Sequence, residues 1–185
     1  MSGAVPGPEA GAASRAEIQV WDPLVRIFHW TVVVGCFVDL FILEDGKTAH
    51  RVIGSIVAFA LITRLLWGAV GSRHARFVDF APTPTRLAHY LKALLRREER
   101  RYIGHNPAGA VVMLTLMGLL AAVSVTGWML TLDAYFGNDA LGKLHEGIAN
   151  SILILAGLHA AAAIYEGRRH NENLVWAMVT GRKRA

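Results

Sequence analysis

Residues 148–164 read IANSILILAGLHAAAAI, a stretch in which only Asn150, Ser151 and His159 are polar and the histidine is set among glycine and alanine. A helix crossing a bilayer needs about 20 predominantly apolar residues, and here they lie on every side of the helix rather than along one stripe. Three further stretches share this character. Residues 27–43 are broken only by His29, Thr31, Gly35 and Asp39, residues 52–70 mainly by Ser55, Thr63 and Arg64, and residues 108–132 carry no charge. The chain of 185 residues is 54% hydrophobic and 18% charged, against about a quarter charged for an ordinary soluble domain. The fold expected is all-α: an integral membrane four-helix bundle spanning near 27–43, 52–70, 108–132 and 148–164. The competing reading, a soluble bundle with oily helices, requires one polar face per helix, which these segments lack.

The basic residues orient the spans. Arg15 and Arg26 precede the first. Arg73, Arg76, Arg86, Lys92, Arg96, Arg97, Arg100 and Arg101 lie between the second and third, and Arg168, Arg169, Arg182, Lys183 and Arg184 follow the fourth. Only Lys47, Arg51 and Lys143 fall in the other connections. Since cytoplasmic loops carry the excess of Lys and Arg, both termini are expected in the cytoplasm, and the net charge of +5 marks a membrane face rather than a nucleic-acid partner. Residues 1–20, rich in Gly, Ala, Pro and Ser, read as a disordered tail rather than a signal peptide. Residues 21–185 then form one domain. Within the long connection, Leu87, Tyr90, Leu91, Leu94 and Leu95 recur at helical spacing between Thr85 and Tyr102, as in a helix lying on the inner leaflet; a solvated basic loop is the alternative.

Histidine at membrane depth is costly and points to function. Four of the eight histidines qualify: His29 in the first span, His50 at the start of the second, His145 at the start of the fourth and His159 within it. His145 and His159, 14 residues apart, project about 40° out of register and about 21 Å apart along a helix. The up-and-down topology places His29 with His159 near the inner face and His50 with His145 near the outer face. Electron-carrying haem iron takes two axial ligands, and helix bundles build cofactor sites from facing helices. Two bis-histidine haems are therefore expected, with His29 and His159 on the inner iron and His50 and His145 on the outer. The single cysteine, Cys36, excludes covalent C-x-x-C-H haem attachment and Cys-based metal clusters. Each histidine also has a plainer reading, as an interfacial anchor (His29 beside Trp30) or a water-facing helix start (His50, His145).

Other polar residues are sorted by depth. Arg64 should lie low in its span, meeting a haem propionate or reaching for the surface, and Arg51 is its outer counterpart. Asp39 and Glu146 fall near the outer pair, as ligand-orienting, proton-handling or merely wet groups. His105 is expected to be structural, or else a quinone or proton contact like Glu166. His74, His89 and His170 are expected to be solvated.

Trp21-Asp22-Pro23-Leu24-Val25-Arg26-Ile27-Phe28-His29-Trp30, Arg64-Leu65-Leu66-Trp67-Gly68, Gly104-His105-Asn106-Pro107, Thr126-Gly127-Trp128, Gly157-Leu158-His159 and Met178-Val179-Thr180-Gly181-Arg182-Lys183 together resemble the bacterial cytochrome b561 family, which includes the b-type subunits of nickel–iron hydrogenases. The resemblance runs in order from Val20 to Arg184. It implies a multi-pass protein of the bacterial inner membrane with two non-covalent haems b, exchanging electrons between quinone or quinol and a redox partner. Its ligand positions map onto His29, His50, His145 and His159. The chain is more compact than the hydrogenase-linked members, and His74 stands where relatives often carry Tyr.

Two other functions compete: a superoxide oxidase reducing ubiquinone, with Lys47, Arg51 and Lys143 attracting the anion, and a haem-free membrane adaptor. No P-loop, Ser-His-Asp order or metalloprotease motif is present, which disfavours phosphoryl transfer and hydrolysis.

Overall fold

Three helices begin on the same local chemistry, a short polar side chain followed by proline. Asp22-Pro23, Thr83-Pro84 and Asn106-Pro107 each place a side-chain oxygen over the amide three residues on, with proline in the first turn, where its missing N–H costs nothing. The computed structural model describes residues 17–72 and 74–185; residues 1–16 of the expected tail, 1–20, lie outside them. In order the elements are β1 (Glu17–Gln19), α1 (Pro23–Phe41), α2 (Thr48–Val70), α3 (Phe77–Phe80), α4 (Pro84–Arg96), α5 (Pro107–Met129), α6 (Asp139–Arg169), α7 (Leu174–Thr180) and β2 (Arg182–Arg184), with one 3₁₀ turn at Asp133–Tyr135. Helices α1, α2, α5 and α6 are long and apolar enough to cross a membrane.

These helices do not share the boundaries read from hydropathy. Helix α1 starts four residues before 27 because Asp22 caps it, and α6 runs from Asp139, capped by Asn138, to Arg169. The expected fourth span, 148–164, covered only its most apolar part, since Lys143, Glu146 and Glu166 lie on turns that continue the same helix. His29 and His145 therefore sit well inside their helices instead of at the first turn. The tail boundary also moves. Val20 is buried and Glu17–Gln19 pair antiparallel with Arg182–Arg184, so residues 17–20 belong to the folded part.

Helix α2 packs on α1 and on α5, and α5 packs on α6. The shared core is narrow: Val57, Leu61, Met117, Leu120 and Ile152, flanked by Phe28, Val32 and Cys36. Many large apolar residues point outward, among them Phe59, Leu66, Ile154 and Leu158, as expected where lipid is the solvent.

A clasp closes the end of the bundle that holds both described chain ends, the terminal face. The Asp22 carboxylate caps Val25 and accepts from Trp67 Nε1 at 2.9 Å and Ser72 Oγ at 2.5 Å, joining the start of α1 to the end of α2. Its burial disfavours the charge, but these donors outweigh that and hold it below the usual carboxylate range. The Gly181 carbonyl receives the Val20 and Trp21 amides, a close approach that an added Cβ would block at 2.6 Å from the Trp21 oxygen. Lys183, buried, donates to the carbonyls of Tyr102 and Ile103.

Candidate functional site

At the end of the bundle opposite the clasp, His50 of α2 and His145 of α6 face each other with ring centres 6.2 Å apart and planes inclined by 73°. The orientation of each ring follows from its neighbour. The Thr126 hydroxyl lies 2.9 Å from the Ala122 carbonyl and 3.0 Å from His145 Nδ1. A hydroxyl has one hydrogen. Given to Ala122, it leaves an oxygen lone pair to accept from His145 Nδ1–H, so Nε2 keeps its lone pair. On the other ring, Asp39 Oδ1 stands 3.6 Å from His50 Nδ1, beyond hydrogen-bond reach, with both atoms buried and unpartnered, so the carboxylate acts on this ring through its charge. Among the choices open to Asp39, the structure places it near the ring; Glu146, the next residue after His145, is exposed. These partners are what a metal-binding imidazole needs behind it.

The gap fits a bound metal centre. Two metal–imidazole bonds of about 2 Å, with about 1 Å from each nitrogen to its ring centre, give a separation of about 6 Å. Gly127 extends the fit, since a Cβ there would come within 3.0 Å of His145 Cε1. All four long helices contribute to this cluster: Asp39 from α1, His50 from α2, Thr126 from α5 and His145 from α6. Arg51 is exposed at its rim.

At the terminal end, His29 of α1 and His159 of α6 lie within electrostatic range of each other. His29 Nδ1 is buried without a hydrogen-bond partner, and Trp30 packs edge-on against the ring at 5.2 Å. Ala156, Ala162 and Ala163, one turn from His159 on the same side of α6, put only methyl groups beside it, and α6 as a whole buries only Ile152 and Gly167. Arg64 does not reach for the surface. It is 2% exposed, donates through Nη2 to the Ala75 carbonyl and stacks over Phe77 at 4.9 Å, while Nη1 has no partner. A buried guanidinium with one free fork suits an acidic group such as a propionate.

His105, just before α5, is held between Trp21 at 4.7 Å and Phe80 at 4.9 Å. Burial, and then the positive Arg64, push it down to about 3, so it is neutral. A cavity of about 240 Å³ opens beside it, lined in part by His74, Asp79, Arg86 and Tyr102. His74 thus lies near His105 rather than free in solvent, and His170, expected to be solvated, is largely covered and stands 3.4 Å from Glu166. Glu166 also receives Asn106 Nδ2 at 3.4 Å.

The sequence reading gave Thr126 no role, although it is one of few hydroxyls on a helix without charge. Its threonine–glycine pair is the only local signal for a ring packed there.

No solved structure matches the chain. Among curated proteins, it is 26% identical to a "Probable Ni/Fe-hydrogenase B-type cytochrome subunit" of Rhodobacter capsulatus, over 91% of this chain and 82% of that protein. It is 25% identical to the protein of that name in Bradyrhizobium diazoefficiens, over 93% and 88%, and 24% identical to that of Cupriavidus necator, over 95% and 90%. The sequence model described as prokaryotic cytochrome b561 matches residues 20–181. With four apolar helices and that match over most of its length, the chain belongs to the prokaryotic cytochrome b561 family, multi-pass membrane proteins that hold b-type haem and carry electrons.

Proposed function

We propose that the protein is a di-haem cytochrome that moves electrons across the bilayer between the quinone pool and a redox partner. His50 and His145 hold one haem, and His29 and His159 hold the other near the terminal face. The observation that carries this reading is the His50–His145 pair, spaced at 6.2 Å with the Thr126 hydroxyl bonded to His145 Nδ1 and the Asp39 carboxylate near His50. Haem iron supplies the one-electron chemistry. The chain supplies the rest: Thr126 orients the His145 ring, Asp39 sets a carboxylate near His50, Arg64 offers Nη1 to a propionate, and Ala156, Ala162 and Ala163 keep α6 slender beside His159. Arg51 is the outer counterpart of Arg64.

The excess of Lys and Arg at the terminal face supports a cytoplasmic location for both termini and an inner-membrane setting. The cavity beside neutral His105 supports quinone or quinol binding there, with a ring nitrogen able to hydrogen-bond a quinone oxygen and Trp21 and Phe80 restricting the imidazole. The hydrogenase subunits among the relatives support a redox protein, such as a hydrogenase, as partner.

Reduced pyridine haemochrome spectra of the purified protein test the reading, with two b haems per chain expected. His50→Ala and His145→Ala should each remove one spectral component, and His29→Ala and His159→Ala the other. One haem in the wild type, or loss of the same component in His29→Ala and His50→Ala with the other intact, would overturn it.

A further inference from the structure

The connection between α2 and α5 carries a helix whose faces do not match a soluble surface. Helix α4 has no acidic residue (PTRLAHYLKALLR). Tyr90 is 5% exposed, and the helix packs against α5. Pro84, Ala88, Leu91 and Leu95 fall within about 60° of one another around the axis, and all are exposed, Leu91 by 43% and Leu95 by 87%. Lys92 and Arg96 follow at the edge of this stripe, both exposed. Among the described residues neither forms an ion pair, whereas neighbouring Arg76, Arg101 and Arg169 all do.

An exposed leucine stripe bordered by unpaired cations has two requirements, an apolar layer and negative charge beside it. A membrane surface meets both at the depth where α4 must lie, because α4 rests on the end of a membrane-spanning helix. Lys and Arg stems cover apolar surface while their heads reach phosphate, and a helix with this division of faces lies in the interfacial plane.

We propose that α4 is a docking surface for anionic phospholipid headgroups, with Leu91 and Leu95 in the acyl boundary and Lys92 and Arg96 on the phosphates. This is independent of haem ligation and of the redox partner. The apolar stripe sets the depth of the helix, and the cations select the lipid. Each basic residue near an anionic surface strengthens attraction about fivefold, and the effect is screened by salt.

Haem-loaded, full-length protein in detergent is offered phosphatidylglycerol or phosphatidylcholine, and retained lipid is counted by native mass spectrometry. Preferential retention of phosphatidylglycerol, weakened by salt, is expected. The variant carrying Lys92→Gln and Arg96→Gln should lose roughly tenfold to thirtyfold in that preference with its haem spectrum unchanged. Equal retention of the two lipids, or an unchanged preference in the variant, would overturn the proposal. A second measurement places a fluorophore at Leu95→Cys in a Cys36→Ser background, in phosphatidylglycerol nanodiscs. Quenching by brominated acyl chains supports the lipid surface; quenching by aqueous iodide, or shielding from both in a dimer, overturns it.

Discussion

Replacing Thr126 by valine keeps the shape of the side chain and removes its hydroxyl, and with it the acceptor for His145 Nδ1–H at 3.0 Å. The hydroxyl's own donation to Ala122 at 2.9 Å duplicates a carbonyl already serving the helix, so its loss matters little. What changes is the imidazole. With its Nδ1–H accepted, the ring is a stronger electron donor through Nε2 and favours the oxidised metal; without it the reduced form gains. A hydrogen bond of this kind contributes about 0.5–1.5 kcal/mol. One tenfold step is about 1.4 kcal/mol, or about 59 mV for a one-electron couple, so one haem potential should rise by about 20–60 mV. Optical redox titration of the purified protein reads this directly. The other haem should stay put, because His29 and His159 lie at the far end of the bundle. Thr126→Ser, which keeps the oxygen, should restore the original value. Equal shifts in both haems, no shift, or a serine variant behaving like valine would refute the assignment of Thr126 to His145.

Gly35→Ala places a Cβ 2.6 Å from Val57 Cγ2 where α1 crosses α2, so it should destabilise by about 1–3 kcal/mol; Gly118→Ala, with nothing within 4 Å, should be neutral or stabilising, and thermal loss of the haem band in detergent compares the two. His105 is pushed down to about 3 from its ordinary value of about 6.5, so the unfolded chain binds a proton that the folded one refuses. Its stabilising share is full above pH 6.5 and falls as pH drops toward 3, by at most about 1.4 kcal/mol per unit. Asp22 and Glu172, held below the usual carboxylate range where Ser72, Trp67 and Arg101 donate to them, lose their share only at lower pH. Denaturant unfolding of the wild type should therefore steepen against His105→Gln between pH 6.5 and 5, and parallel curves would contradict the burial of a neutral ring.

The spans and the two histidine heights were legible in the sequence because each rests on local information: apolar residues pooled over one helix length, and residue spacing along it. The clasp was not. Asp22 meets Trp67 and Ser72 across some 50 positions, and Val20 meets Gly181 across the whole domain; no periodicity carries such pairings. Depth alone placed Asp39 near the outer histidines, but only the side-chain geometry sets its carboxylate against His50. Of the two places open to Arg64, depth alone could not remove the surface: the Ala75 carbonyl and the Phe77 face that keep it inside, with Nη1 still free, come from across a turn.

Helix α6 packs along α5 yet buries little of its own surface there. Lipid offers no hydrophobic drive for helix association, and α6 buries only Ile152 and Gly167 along 31 residues. Yet α6 brings His145 and His159, one to each end, to meet side chains of α1, α2 and α5. If those two rings are anchored through bound haem, ligation supplies much of what fixes α6 against α5. The haem-free protein should then keep α1 and α2, joined through Val57, Gly35 and the Asp22 clasp, while α6 loosens. Hydrogen exchange of the haem-depleted protein in detergent should show amides flanking His145 and His159 exchanging at least about tenfold faster, the result of losing about 1.4 kcal/mol of local protection, with the α1–α2 pair changing less. Uniform acceleration through all four helices would mean that packing, rather than ligation, sets the position of α6.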